Sequence, residues 1–102
     1  MSEVSVTDVP GSDRYEARID GELAGYAEYQ KTSRLVVLTH TEVDDAYEGR
    51  GVGSALVRGA LDAARAQGLP VLPLCPFVKA YIARHPEYAD LVYSAPRSTA
   101  KD

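Results

Sequence analysis

Three glycines and an arginine stand directly before a run of helix-forming residues in the segment EGRGVGSALV, residues 48–57. A turn that passes straight into a helix leaves the first backbone N–H groups without helical partners, and the helix dipole adds positive charge there. Glycine lets this backbone approach a bulky anion such as a diphosphate. Arg50 can add a cationic contact and Ser54 a hydroxyl. The residues of this predicted anion site are Glu48, Gly49, Arg50, Gly51, Val52, Gly53 and Ser54.

Two familiar glycine motifs do not fit this segment. The phosphate-binding loop of nucleotide triphosphatases needs a lysine followed by serine or threonine after its last glycine, and no such lysine follows Gly53. A dinucleotide fingerprint needs glycine or alanine where Leu56 stands, and an acidic residue at the end of the next strand. A third interpretation stays open, in which the glycines only make a tight strand-to-helix connection and allow close packing of the helix on the sheet.

The single cysteine, Cys75, closes a predicted strand and precedes Pro76 at a predicted helix start. Unpaired N–H groups at that position would lower the pKa of the thiol and make Cys75 a candidate nucleophile. A free cysteine is also common as a small buried hydrophobic residue, so both interpretations stay open. One cysteine excludes an internal disulfide and gives no zinc-site spacing, so we expect no metal and a reducing compartment.

His40 and Glu42 are two residues apart on a predicted strand and therefore project from the same face. Either side chain could act as a base or order a water molecule. The alternative is that His40 only forms hydrogen bonds within the sheet.

These candidates are positioned by a short series of strands and helices. Alternating apolar residues, an Asp20-Gly21 turn and a returning strand predict a hairpin, and a more apolar third strand extends it to an antiparallel meander. An amphipathic helix then ends at Gly68, and a short apolar strand follows parallel to the third strand. The predicted elements are strands at 14–20, 22–31, 34–43 and 69–74 and helices at 52–67 and 76–84. The fold class is thus mixed α/β, with a small mixed sheet and one β-α-β crossover.

Length and charge restrict the class of protein. The 102 residues suffice for one domain, which we place at residues 13–93, between a flexible segment at 1–12 and a flexible tail at 94–102. A net charge of -4 without a basic stripe argues against direct binding of nucleic acid. No apolar stretch reaches 18 residues and no signal sequence is evident, so we expect a cytoplasmic protein without a membrane span.

Four motifs in order make the sequence recognisable: HTEV at 40–43, YEGRGVGSALV at 47–57, PLCPFVKAYI at 73–82 and HPEY at 85–88. Together they resemble the short, YjdJ-like branch of the GNAT superfamily of N-acetyltransferases, over roughly residues 13–92. The departure is Glu48, where that superfamily usually has glutamine or arginine. A carboxylate would repel a diphosphate, so we expect Glu48 to face away or to pair with Arg50.

The resemblance implies a truncated GNAT fold, acetyl-CoA as the cofactor, and transfer of its acetyl group to a primary amine. It implies that the backbone near Val43 pairs with the pantetheine arm, and that Tyr81 occupies the position of a tyrosine that reprotonates coenzyme A, with core packing as the alternative. Cys75 resembles a cysteine suspected to be catalytic, and His40 or Glu42 would serve as the base for the amine.

The implied acceptor site is open, because the chain is shorter than a typical GNAT domain. An open site suits an amine on a protein or peptide, and we expect a monomer or weak homodimer. The alternative is a coenzyme A-binding sensor or interaction module without turnover.

Overall fold

The computed structural model describes residues 4–94, which form a five-stranded mixed sheet with two α-helices against it. The elements are β1 (Val4–Val9), β2 (Arg14–Ile19), β3 (Glu22–Lys31), β4 (Val36–Val43), α1 (Val52–Gln67), β5 (Val71–Pro73) and α2 (Pro76–Arg84), with 3-10 turns at Pro10–Ser12, Asp45–Tyr47 and Pro86–Leu91. Neighbouring strands from β1 to β4 are antiparallel, whereas β5 is parallel to β4. The predicted fold class, an antiparallel meander joined to a β-α-β crossover, is confirmed.

The N-terminal stretch adds a strand to the predicted meander. For residues 1–12 the sequence predicts at most a short strand, and Val4–Val9 form one, β1, in which all six residues pair with β2. The meander therefore has four strands instead of three. Ladder hydrogen bonds to β2 stabilise β1, and a short alternating pattern does not reveal that partner. Residues 1–3 and 95–102, which include nearly all of the predicted tail, lie outside the described residues.

The turns and helix ends follow from local sequence. Asp20 and Gly21 have φ angles of 52° and 82°, as the predicted hairpin turn requires. Gly68, with φ of 71°, ends α1 by donating its N–H to the carbonyls of Ala64 and Arg65. Pro76 occupies the first turn of α2, and Pro86 follows its last residue by two positions.

The core lies between the sheet and the two helices. α1 contacts all four antiparallel strands, and α2 lies beside α1 against β4 and β5. The inner face of α1 is apolar, and the largest fully buried side chains are Leu38, Leu56, Leu61, Val52, Val57, Val71 and Val78. Burial of such side chains, each worth roughly 1.5–3 kcal/mol, holds the start of α1 against β4. No helix within residues 4–94 has the length and apolar character needed to cross a lipid bilayer.

A β-bulge in β4 decides which side chains meet the helices. Glu28 of β3 pairs with His40, but the next residue, Tyr29, pairs with Leu38, so Thr39 is an extra residue. Leu38 points into the core before the bulge, and Thr41 points to the same side after it, where its hydroxyl contacts Cys75. His40 is consequently on the opposite, exposed face. Regular alternation would have placed His40 on the face of Leu38.

Candidate functional site

The candidate site is a groove that opens where β5 leaves β4. These two strands pair only from Val36 to Leu38, and the carbonyl of Leu38 then accepts the N–H groups of both Leu74 and Cys75, at 3.0 and 3.1 Å. Beyond Leu38, β5 no longer accompanies β4. The groove has a volume of about 340 Å³ and is lined by Thr41, Val43, Tyr47, Glu48, Gly49, Gly51, Val52, Gly53, Ser54 and Phe77.

One end of the groove is the turn before α1. The first helical hydrogen bond is donated by the N–H of Ala55 to the carbonyl of Gly51, 3.0 Å away. The N–H groups of Val52, Gly53 and Ser54 precede that bond, so they take no part in the helical ladder. Together with the helix dipole, these donors favour an anion at this end of the groove.

The loop glycines serve conformation rather than packing on the sheet. Gly49 and Gly51 have φ angles of 80° and 77°, and a Cβ added to either would have no neighbour within 4 Å. The close approach of helix and sheet occurs elsewhere, because a Cβ on Gly59 would lie 3.1 Å from Cγ1 of Val6. The glycines of the loop therefore make a left-handed turn that faces open space, which fits a bulky diphosphate.

Cys75 lies beside the inner end of the groove. Its side chain is buried, and its thiol donates to the hydroxyl of Thr41, with 3.6 Å between sulfur and oxygen. Burial opposes ionisation, but the Thr41 hydroxyl and the backbone N–H groups of Val78 and Phe77 outweigh it and lower the pKa of the thiol. The helix-start position thus has the electrostatic effect that the sequence predicts. Its role in chemistry stays a prediction.

His40 and Glu42 form a pair on the exposed face of β4. Nε2 of His40 is 2.8 Å from Oε1 of Glu42, and about half of each side chain is accessible to solvent. The His40 ring also lies 6.3 Å from the ring of Tyr26. The prediction that the two residues share a face is confirmed by this contact.

A second groove adjoins the first at the end of β4. It measures about 320 Å³ and is lined by Leu23, Gly25, Tyr26, Glu42, Val43, Asp44 and Asp45. Val43 lines both grooves, so they meet at this residue. Three carboxylates give the second groove a negative character. One of them, Asp44, also accepts the N–H of Ala46 at 2.9 Å and so fixes the turn after β4.

Tyr81 is placed differently from the other candidates. Its side chain is buried, and its hydroxyl accepts a hydrogen bond from Nε of Arg58 on α1 at 3.5 Å. Its ring stacks on His85, with 3.9 Å between ring centroids, and His85 in turn contacts the backbone carbonyl of Tyr81. Tyr81 is not among the residues that line the groove. These contacts are those of a packed core tyrosine, and its predicted role toward coenzyme A stays a prediction.

The structure brings most of the predicted loop residues together. Seven of the eight predicted cofactor-binding residues line the groove, and the eighth, Arg50, is exposed in the same loop. Thr41, Tyr47 and Phe77 also line the groove, and the sequence did not predict them as site residues. The position of Thr41 follows from the bulge in β4, whereas Phe77 follows Cys75 by two residues in a motif that already drew attention.

The fold and the groove define a class: an α/β domain with a glycine-rich turn before a helix, at the point where two parallel strands separate. A sequence model described as GCN5-related N-acetyl-transferase matches residues 14–91. The chain therefore belongs to the GCN5-related N-acetyltransferase family. Protein NATD1 of Homo sapiens is 40% identical over 53 residues, which cover 52% of this chain and 47% of that protein. Protein NATD1 of Gallus gallus is also 40% identical, over 52% of this chain and 48% of its own length. The match thus spans about half the length of these relatives.

Solved structures share the fold. The solution structure of a GCN5-like protein from Staphylococcus aureus superposes with a TM-score of 0.65 over 98% of this chain and 100% of its own, at 19% identity. Rv2747 from Mycobacterium tuberculosis, in complex with CoA, gives a TM-score of 0.61 at 24% identity, over 84% of this chain and 58% of its own. N-acetylglutamate synthase from Neisseria gonorrhoeae, complexed with coenzyme A and N-acetyl-glutamate, gives a TM-score of 0.59 at 18% identity. This match covers 80% of this chain and 22% of the synthase chain.

Proposed function

We propose that this protein is an acetyl-CoA-dependent N-acetyltransferase that acts on a primary amine and belongs to the YjdJ-like branch of its superfamily. The observation that carries the proposal is the groove at the end of β4, where β5 no longer pairs with β4 and the first turn of α1 presents N–H groups outside the helical ladder. Structural neighbours with coenzyme A bound support it, since they share the fold. The order of four sequence motifs supports the branch.

The residues of the groove fit the coenzyme A portion. The N–H groups at the start of α1 and the hydroxyl of Ser54 suit a diphosphate, and Arg50 adds positive charge in the same loop. Glu48 also lines the groove, and its carboxylate opposes this positive charge. β5 does not pair with β4 near Val43, so the backbone of β4 can form hydrogen bonds there with the amide groups of the extended pantetheine arm. When bound, acetyl-CoA supplies an acetyl group activated as a thioester.

The second groove suits the acceptor. Its carboxylates, Glu42, Asp44 and Asp45, attract an ammonium group, and Val43 joins this groove to the first. The paired His40 and Glu42 can take a proton from the amine, which must be neutral to attack a thioester. Because the groove is open to solvent, an amine on a polypeptide is the class of acceptor we favour. The Cys75 thiolate is a nucleophile or a neighbour of the reacting thioester.

Calorimetric titration with acetyl-CoA, coenzyme A and adenosine 3′,5′-bisphosphate tests the cofactor. We expect wild-type protein to bind all three, and Gly51→Ala to weaken each at least about tenfold, because a residue with a Cβ resists the φ angle that aims the N–H groups. Gly21→Ala is the matched control: Gly21 has φ of 82° and equally open surroundings, but lies in the β2–β3 turn.

The outcomes separate the candidate functions. Absence of binding to wild-type protein would contradict the proposal, and equal loss of binding in both glycine variants would assign the effect to stability. Binding followed by acetylation of amine-bearing peptides, detected by mass spectrometry, would support the transferase. Tight binding without acetylation of any peptide or small amine would instead support the coenzyme A-binding module.

A further inference from the structure

Phe77 is an exposed aromatic residue in the wall of the groove. It lies in the first turn of α2, and 43% of its surface is accessible, whereas Val78, Tyr81 and Ile82 of the same helix are buried. It is the only phenylalanine of the chain. An exposed ring of this size beside a groove marks a surface that a ligand can cover.

The Phe77 ring packs against Gly53 of the neighbouring helix, α1. A Cβ built on Gly53 would lie 2.8 Å from Cζ of Phe77, closer than real Cβ atoms come to a neighbour, and 3.1 Å from Cε2, so the ring would have to shift. Gly53 is in the first turn of α1 and its φ is not positive, so its backbone conformation does not require glycine. The need for glycine at this position therefore comes from the Phe77 ring, or from a ligand beside it.

Phe77 also reaches the other end of the groove through its backbone. Its N–H group is one of those that stabilise the thiolate of Cys75, and that thiol contacts Thr41, which lines the groove. The side chain thus touches the turn that suits the diphosphate, while the main chain of the same residue touches the thiol end. Any extended ligand that joins these two ends passes the ring.

We propose that the Phe77 ring, held in place by Gly53, is the apolar wall that binds the pantetheine arm of coenzyme A. The inference rests on the proposed function, since it assumes that coenzyme A occupies the groove. Phe77 is then a cofactor-binding residue: the arm covers its exposed surface, and this contact distinguishes coenzyme A from nucleotides that have the diphosphate but no arm. The geminal methyl groups of pantetheine are the apolar part that such a wall would contact.

Variants of Phe77 and Gly53 test the proposal by calorimetric titration with coenzyme A and with 3′-phosphoadenosine 5′-diphosphate, which has the diphosphate but no pantetheine arm. Phe77→Ala should raise the Kd of coenzyme A about fourfold to twelvefold, the range expected for losing half of a buried aromatic contact, and leave the Kd of the diphosphate nucleotide unchanged. Phe77→Leu should restore part of the affinity. Leu74→Ala removes a side chain that is 55% exposed and lines no part of the groove, and should change neither Kd.

Gly53→Ala supplies the second arm of the test. If its methyl group acts by displacing the ring, Gly53→Ala should weaken the binding of coenzyme A when Phe77 is present. The Gly53→Ala/Phe77→Ala double variant should then bind coenzyme A no more weakly than Phe77→Ala alone. Equally weakened binding of coenzyme A and of the diphosphate nucleotide in both backgrounds would mean that the methyl group meets the diphosphate, and would overturn the assigned role of Gly53.

The two proposals fail in different ways. If wild-type protein binds neither ligand, the proposed function itself is contradicted. If wild-type protein binds coenzyme A but Phe77→Ala binds it within a factor of two of wild type, the role of Phe77 is overturned and the function stands. Thermal unfolding of each variant without ligand shows whether a loss of affinity reflects a loss of folded protein.

Discussion

Gly25 is the glycine at which we expect one added methyl group to lower the stability of the fold most. It lies in β3, opposite Val43 of β4, and its hydrogen faces the start of α1. A Cβ would lie 2.6 Å from the carbonyl oxygen of Glu42, 3.1 Å from Cγ1 of Val52 and 3.3 Å from Cα of Val43. Two of these three neighbours are backbone atoms of a paired strand, so a rotamer change cannot make room.

The size of the effect follows from these distances. Ordinary contact begins at 3.4 Å, so the 2.6 Å approach to the Glu42 oxygen requires a displacement of about 0.8 Å within a hydrogen-bonded ladder. Overpacking of this kind costs about 1–3 kcal/mol. For a chain of about 100 residues each kcal/mol lowers Tm by about 4–8 °C, so Gly25→Ala should melt at least about 4 °C lower.

Thermal and urea unfolding followed by circular dichroism would measure this loss. Gly11→Ala is the control: it adds the same methyl group where nothing lies within 4 Å and where φ is not positive. If Gly25→Ala melted within about 2 °C of Gly11→Ala, the reasoning from contact distances would be refuted. Because the displaced carbonyl belongs to the end of β4, weaker binding of coenzyme A should accompany the lower Tm.

Three further predictions concern single side chains. Gly59→Ala should change the free energy of unfolding by less than about 1 kcal/mol, because the edge side chain of Val6 can give way and alanine favours the helix; a loss as large as that of Gly25→Ala would contradict this. The rate of alkylation of Cys75 by iodoacetamide should rise at a lower pH than for an ordinary thiol, and Thr41→Val should move this midpoint to higher pH; an unchanged midpoint would contradict the role of the hydroxyl. The Tyr88 hydroxyl donates to Oδ1 of Asp62 at 2.7 Å, and this bond, with burial, raises the pKa of Tyr88 to about 12. Its stabilising effect, about 1 kcal/mol, is therefore complete below pH 10 and lost as pH rises toward 12, so wild type and Tyr88→Phe should differ in urea unfolding at pH 8 and converge above pH 12.

Local sequence was sufficient to predict most of the strands and helices. The Asp20-Gly21 hairpin, the end of α1 at Gly68 and the start of α2 at Pro76 depend on the φ preferences of one or two residues, which the sequence states directly. The glycine segment was recognised for the same reason. The predicted third strand began at residue 34 and the final one at 69, whereas β4 and β5 begin at Val36 and Val71, since strand ends depend on pairing with neighbours.

Features that depend on contacts between residues far apart in the chain could not be predicted from local sequence. The sequence allowed a short strand in residues 1–12 but did not show its bounds or its partner, because an edge strand is defined by its ladder with β2. The bulge at Thr39 was not predicted because it exists only in the register between β3 and β4. The placement of Tyr81 against Arg58, away from the groove lining, depends on how α2 packs beside α1.

The sequence by itself therefore determined the order of most elements and the glycine turn before α1, which depend on short-range conformational preferences, and its motifs carried the family resemblance. Only the tertiary structure decided which residues share the groove. Thr41 and Phe77 approach the turn from β4 and α2 because strands separate and helices pack at distances that no local pattern encodes. The contact between the Phe77 ring and Gly53, 24 residues apart in the chain, is the clearest instance.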